Sequence, residues 1–147
     1  MWYFIRTVKR IPRRFIAGSF KLQVKRSCAG RGLFTNEAIS PGACIIEYTG
    51  RSVSRAEMIA NSGKYLFWTS RWTMIDGNIA GNSARFINHS CAPNCEIDIR
   101  HRRVYVFAKR TILPGEELTY DYDLEYFNAH IKPKGCICHR CIHQSRR

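Results

Sequence analysis

The apolar residues of this chain come in strand-length pieces, and that spacing restricts it to folds built from many short strands. Leu22-Gln23-Val24, Leu33-Phe34, Cys44-Ile45-Ile46-Glu47-Tyr48, Ile97-Asp98-Ile99 and Val104-Tyr105-Val106-Phe107 are each bounded by Gly, Ser, Pro or charged residues. Such punctuation belongs to strands rather than to long helices. The last two pieces flank Arg100-His101-Arg102-Arg103, which predicts an antiparallel hairpin. Pro114-Gly115 marks a turn before a further strand expected over Leu118 to Tyr122. Ser54-Arg55-Ala56-Glu57 fits a capping box and predicts one short helix from about Arg55 to Asn61, stopping at Gly63. The fold class expected is mostly β with minor helix.

A length of 147 residues suits one domain, and 45% hydrophobic residues argues against disorder. No apolar run approaches the roughly 18–20 residues needed to span a bilayer. The apolar start Met1-Trp2-Tyr3-Phe4-Ile5 breaks at Arg6, too short for the core of a secretory signal.

Charge is unevenly spread. Arg6, Lys9, Arg10, Arg13, Arg14, Lys21, Lys25, Arg26 and Arg31 occupy residues 1–31 with no acid among them. Glu116 to Glu125 is acidic without a base. The net charge of +13 suggests an acidic partner such as nucleic acid, or a solvated basic surface. One chain therefore carries a cationic stretch and one concentrated anionic stretch. A basic arm over residues 1–20, strand-forming at its apolar positions, is expected to make non-specific nucleic-acid contact.

Seven cysteines cannot all pair with one another, and Cys136, Cys138 and Cys141 crowd into six residues. Metal ligation in a reducing intracellular compartment is the better reading of that crowding. The residues after Phe127 lack periodicity and are expected to depend on the metal for order.

Two longer motifs carry a resemblance. Gly81-Asn82-Ser83-Ala84-Arg85-Phe86-Ile87-Asn88-His89-Ser90-Cys91-Ala92-Pro93-Asn94-Cys95, followed by Pro114-Gly115-Glu116-Glu117-Leu118-Thr119-Tyr120-Asp121-Tyr122, resembles the signature of SET-domain protein lysine methyltransferases. Gly30-Arg31-Gly32-Leu33, Glu47-Tyr48-Thr49-Gly50 and Ile75-Asp76-Gly77 match the family's earlier motifs in order, and Cys136-Ile137-Cys138-His139-Arg140-Cys141 resembles its post-SET zinc segment. The likeness spans residues 22–141 or so. No Cys-rich segment precedes Gly30 in this sequence, unlike some histone-directed relatives.

The resemblance implies a SET (β-clip) fold of short strands in several small sheets, one or two short helices and a C-terminal pseudo-knot. The domain would run over residues 21–127, with a zinc-binding segment over 128–147. It implies methyl transfer from S-adenosylmethionine to a lysine of a histone or another basic protein, at chromatin in the nucleus if the source is eukaryotic or viral, and in the cytoplasm or exported to a host if it is bacterial. Tyr122 would be the active-site tyrosine and Tyr48 a wall of the lysine channel, with core packing as its rival. Tyr120 would be the product-specificity position, favouring mono- or dimethylation. Asn88, His89 (through its backbone), Gly30, Arg31, Gly32, Tyr65 and Arg85 would hold the cofactor. Zinc would be held by Cys95, Cys136, Cys138 and Cys141, with His139 or His143 as substitutes for the fourth ligand. Cys28, Cys44 and Cys91 are expected to be small core residues. The competing class is a SET-like module that binds nucleic acid without chemistry.

Overall fold

The computed structural model describes residues 12–60 and 65–144. Its strands are β1 (Leu22–Ser27), β2 (Gly30–Thr35), β3 (Cys44–Tyr48), β4 (Arg51–Ser54), β5 (Leu66–Trp68), β6 (Thr73–Asp76), β7 (Asn88–His89), β8 (Cys95–Arg100), β9 (Arg103–Ala108) and β10 (Thr119–Tyr120). The α-helices are α1 (Arg55–Ala60), α2 (Leu124–Tyr126) and α3 (His139–Gln144). The strands form small sheets ordered β1-β2, β3-β9-β8, β4-β6-β5 and β10-β7. This is the mostly β architecture that the strand-length pieces predict.

Strand β9 organises the core because it lies between β3 and β8 and is buried on both faces. Side chains alternate across a strand. Val104, Val106 and Ala108 point into the main core with Leu33, Ile39, Ile45, Ile87, Cys95, Ile112 and Leu118. Tyr105 and Phe107 point the other way, where Phe15 packs edge-on against both, at 5.3 and 5.4 Å. Arg13 beside it bonds Asp98 at 2.8 Å and also pairs with Glu96. Residues 12–20 are therefore a strap over the outer face of this sheet, without the strand character expected of the arm. Arg6, Lys9 and Arg10 lie outside the described residues.

The hairpin expected around 100–103 forms, with Arg100 opposite Arg103. Its two turn residues, His101 and Arg102, sit at φ of 50° and 62°, the left-handed geometry of a type I′ turn without the usual glycine. Helix α1 starts on the expected box: Ser54 N–H donates to Glu57 Oε2 at 2.8 Å, and Glu57 N–H donates to Ser54 Oγ at 3.3 Å. Its expected end, Asn61 to Gly63, lies outside the described residues. At Pro114-Gly115, Glu116 N–H reaches Leu113 O at 3.1 Å and Gly115 takes φ of 89°, as a type II turn requires.

Thr119 and Tyr120 pair in parallel with Asn88 and His89, joining the two long motifs. Asn94, 3% exposed, locks the junction by donating to Glu117 O at 2.8 Å and accepting from Thr119 N–H at 2.9 Å. A buried amide used at both ends resists displacement, because each freed backbone partner would be stranded without water.

Candidate active site and metal centre

The β7–β10 pairing brings the expected tyrosines and most of the expected cofactor residues to one cavity of about 1970 Å³, whereas Gly30 and Gly32 are not among the residues that line it. Tyr48, Tyr65, Asn88, His89, Tyr120 and Tyr122 all line it, as do Arg31 and Arg85.

Tyr122 donates its phenolic proton to Ile87 O at 2.9 Å. Its ring lies 4.7 Å from that of Tyr120 and 5.3 Å from that of Tyr126. Phe67 links Tyr120, at 6.2 Å, to Tyr48, at 5.4 Å, completing an aromatic wall. Burial raises the pKa of Tyr48, Tyr120 and Tyr122 well above the ordinary phenol value, and neighbouring acidic groups add to the rise. All three are neutral phenols across the physiological range. Tyr48 serves core and cavity together: it is 5% exposed, its hydroxyl donates to Tyr65 O at 2.8 Å, and a Cβ on Gly77 would meet that hydroxyl at 2.3 Å.

The other end of the cavity is polar. Asn88 Nδ2 donates to Arg31 O at 2.9 Å and to Glu117 Oε1 at 2.7 Å, while Ser27 Oγ donates to Glu117 Oε2 at 2.9 Å. Glu117 is a residue that the sequence reading passed over. Its sign was visible in Gly32, since a Cβ there would stand 2.2 Å from Glu117 Oε1. The strand must lie bare where the carboxylate crosses it. Gly30 has φ of 104°, so the Gly-x-Gly segment opens β2 with a conformation that suits glycine. Arg85 stacks over Phe86 at 4.9 Å and Tyr65 at 5.6 Å, with Nη1 on Asn78 Oδ1 and its buried Nε left without a partner. A cavity holding an orphaned donor and an oriented amide fits a polar, zwitterionic ligand.

The cysteine cluster differs from expectation in one ligand. Cys91, Cys136, Cys138 and Cys141 have all four sulfurs within 4.8 Å of one another. Cys91 Sγ lies 3.8 Å from Cys136 Sγ and 3.7 Å from Cys141 Sγ. A zinc ion bonded to sulfur at about 2.3 Å places tetrahedral ligands about 3.8 Å apart, so the set fits zinc and is far too open for disulfides. Cys95 is not in it. As the first residue of β8 it pairs with Ala108 and turns inward, 1% exposed, with its thiol donating to Asn94 Oδ1 at 3.3 Å. Burial pushes that thiol up to about 12. Burial also opposes charge on Cys138, but hydrogen bonds from the backbone of Cys91 and Cys141 and from the Cys136 and Cys141 thiols outweigh it, bringing Cys138 down to about 6. His139 and His143 pack on each other, ring centres 4.1 Å apart, and are outside the four-sulfur group. Cys44 is in the core, as expected, whereas Cys28 is exposed. The residues after Phe127 are helical over 127–134, and Phe127 and His130 stack on His89 and Tyr126.

Residues 30–123 match the SET domain family. The chain belongs to that family. It is 42% identical over 125 residues to human histone-lysine N-methyltransferase 2B, covering 76% of this chain and 5% of that protein. Against the histone-lysine N-methyltransferase trithorax of Drosophila virilis it is 36% identical over 148 residues, 92% of this chain and 4% of the other. The histone-lysine N-methyltransferase set1 of Dictyostelium discoideum is 37% identical over 120 residues, 73% of this chain and 8% of its own length. The chain thus spans under a tenth of the length of these relatives.

Proposed function

We propose that this SET domain transfers methyl groups from S-adenosylmethionine to a lysine side chain of a histone or a similar basic protein at chromatin. The observation that carries the reading is the anchoring of the Tyr122 phenol to Ile87, directly before Asn88, inside one cavity.

S-adenosylmethionine, when bound, supplies the electrophilic methyl on a sulfonium. Asn88, with its amide fixed by Glu117 and Arg31, binds the amino-acid end, and Gly30, Arg31, Gly32, Tyr65, Arg85 and the His89 backbone complete that pocket. Tyr48, Phe67 and Tyr120 flank the lysine stem, since aromatic faces suit both methylene groups and an ammonium head. Tyr122 supplies a neutral phenol oxygen that accepts weak C–H···O contacts at the reacting end. Enclosure by these rings excludes water and favours the uncharged amine that displacement requires. Tyr120 limits room beside the amine and favours mono- or dimethylation. Zinc on Cys91, Cys136, Cys138 and Cys141 holds the C-terminal segment against this cavity as a structural ion.

Labelled S-adenosylmethionine and core histones test the reading directly. Label should enter histone in the wild type and be lost in Asn88→Ala. No transfer to any protein, together with salt-sensitive DNA binding, would favour the non-catalytic module. Nucleic-acid contact is a secondary proposal, supported by the hollow that Arg14, Arg100 and His101 line beside the Phe15 strap. Arg13 and Arg103 line it too, but they are already paired with acids.

A further inference from the structure

His89 carries an imidazole that the proposed reaction does not use, and both of its nitrogens are engaged. The side chain is 6% exposed, edge-on to Tyr122 at 5.4 Å and tilted against Phe127 at 5.1 Å. The backbone N–H of Tyr122 donates to Nδ1 at 3.1 Å. Nε2 lies 3.3 Å from Cys91 Sγ. A backbone N–H can only donate, so Nδ1 is the acceptor and carries no proton. The neutral ring then bears its proton on Nε2, facing sulfur. Asp121 also approaches Nδ1, at 3.5 Å, but from a side chain 71% exposed to water and at a longer reach than the Tyr122 amide.

We propose that His89 is a strut between the metal centre and the active-site tyrosine: Nε2–H supports the Cys91 thiolate while Nδ1 holds the backbone of Tyr122. Metal ligands are oriented by such outer partners, whose loss commonly costs about 10–100-fold in metal affinity. The unusual element is the far end of the ring, which fixes the residue whose phenol is already tied to Ile87. Tyr122 is thereby held at backbone and side chain by the single stretch 87–89, and that stretch is braced on Cys91. Loss of the ion is felt at Tyr122 through one imidazole. His89 is a positioning residue here, separate from any backbone contact with cofactor. The inference rests on the metal reading of the cysteine set, not on methyl transfer.

The full chain loaded with cadmium-113 and labelled with nitrogen-15 tests the strut without a variant. The imidazole should be the Nε2–H tautomer, with scalar coupling from its proton through sulfur to the metal. An Nδ1–H ring, absent coupling, or a chain that takes up no cadmium overturns the proposal. Two variants then separate the ends. His89→Asn keeps an acceptor near Nδ1 but has no reach to Cys91, so zinc affinity by chelator competition should fall about tenfold or more while the Tyr122 amide stays protected from hydrogen exchange. His89→Gln keeps a donor near Nε2 but loses the acceptor, so the amide should exchange faster while zinc affinity holds. Equal changes in both readouts for both variants, or no change in either, overturn the strut.

Discussion

Tyr122 gives its phenolic proton to the carbonyl of Ile87 at 2.9 Å, so the tyrosine assigned to the reacting end is anchored one residue away from the amide assigned to the cofactor end. The two motifs that carry the family signature are 34 residues apart from Asn88 to Tyr122 (122 − 88), yet they meet because β10 lies in parallel register on β7.

Glu117 fixes the orientation of the Asn88 amide. Its carboxylate takes the Nδ2 proton and a second bond from Ser27, which commits the carbonyl of Asn88 to the remaining direction. Hydrogen bonds to a charged group are worth about 1.5–3 kcal/mol. Glu117→Ala should therefore weaken S-adenosylmethionine binding by about tenfold or more, measured by titration calorimetry. Unchanged affinity would mean that Asn88 is held adequately by Arg31 alone.

Cys91→Ser and Cys95→Ser separate the metal centre from the core. Cys91→Ser should lower the zinc content and loosen residual zinc in a chelator competition. Cys95→Ser should keep full zinc but lose roughly 1–3 kcal/mol of stability in denaturant, since a hydroxyl must enter a dry core site. The reverse pattern would restore Cys95 as the ligand.

The pH dependence should come from the amine and not from the tyrosines. Burial disfavours the phenolate, so Tyr120 and Tyr122 are raised above their usual value and keep their protons as pH rises to about 10. The rate should climb as the lysine, free pKa of about 10.4, loses its proton. A descending limb below about pH 10 that disappears in Tyr122→Phe would show that the phenol titrates there.

The β8–β9 hairpin holds two non-glycine residues in left-handed geometry. Such a residue costs about 1–2 kcal/mol relative to a relaxed backbone. Arg102→Gly should raise unfolding stability by about 1 kcal/mol, read from the denaturation midpoint, after the entropy of the added glycine is set against relief of strain.

Much of the architecture was legible because short apolar pieces between turn residues leave little alternative to strands. The 100–103 hairpin, the capping box at Ser54 and the turn at Pro114-Gly115 each rest on local chemistry and appear as expected. Strands β4 and β6 were not legible, since Arg51–Ser54 and Thr73–Asp76 are polar enough to pass for loop and gain their identity only by pairing. The fourth sulfur was misjudged for a similar reason. Cys91 and Cys95 flank the same Pro93 turn, and only the inward register of β8 decides which one leaves the core. Phe15 and Arg13 read as parts of a basic arm, and Tyr105, Phe107, Glu96 and Asp98, far along the chain, are their partners.

The most direct measurement compares Tyr122→Phe with wild type for S-adenosylmethionine binding and for methylation of a lysine-bearing histone peptide by mass spectrometry. The account predicts matched cofactor affinity and a rate lower by about 100-fold or more, because the lost oxygen serves the reacting atoms. Equal rates in the two proteins would contradict it and leave Tyr122 as a core residue bonded to Ile87.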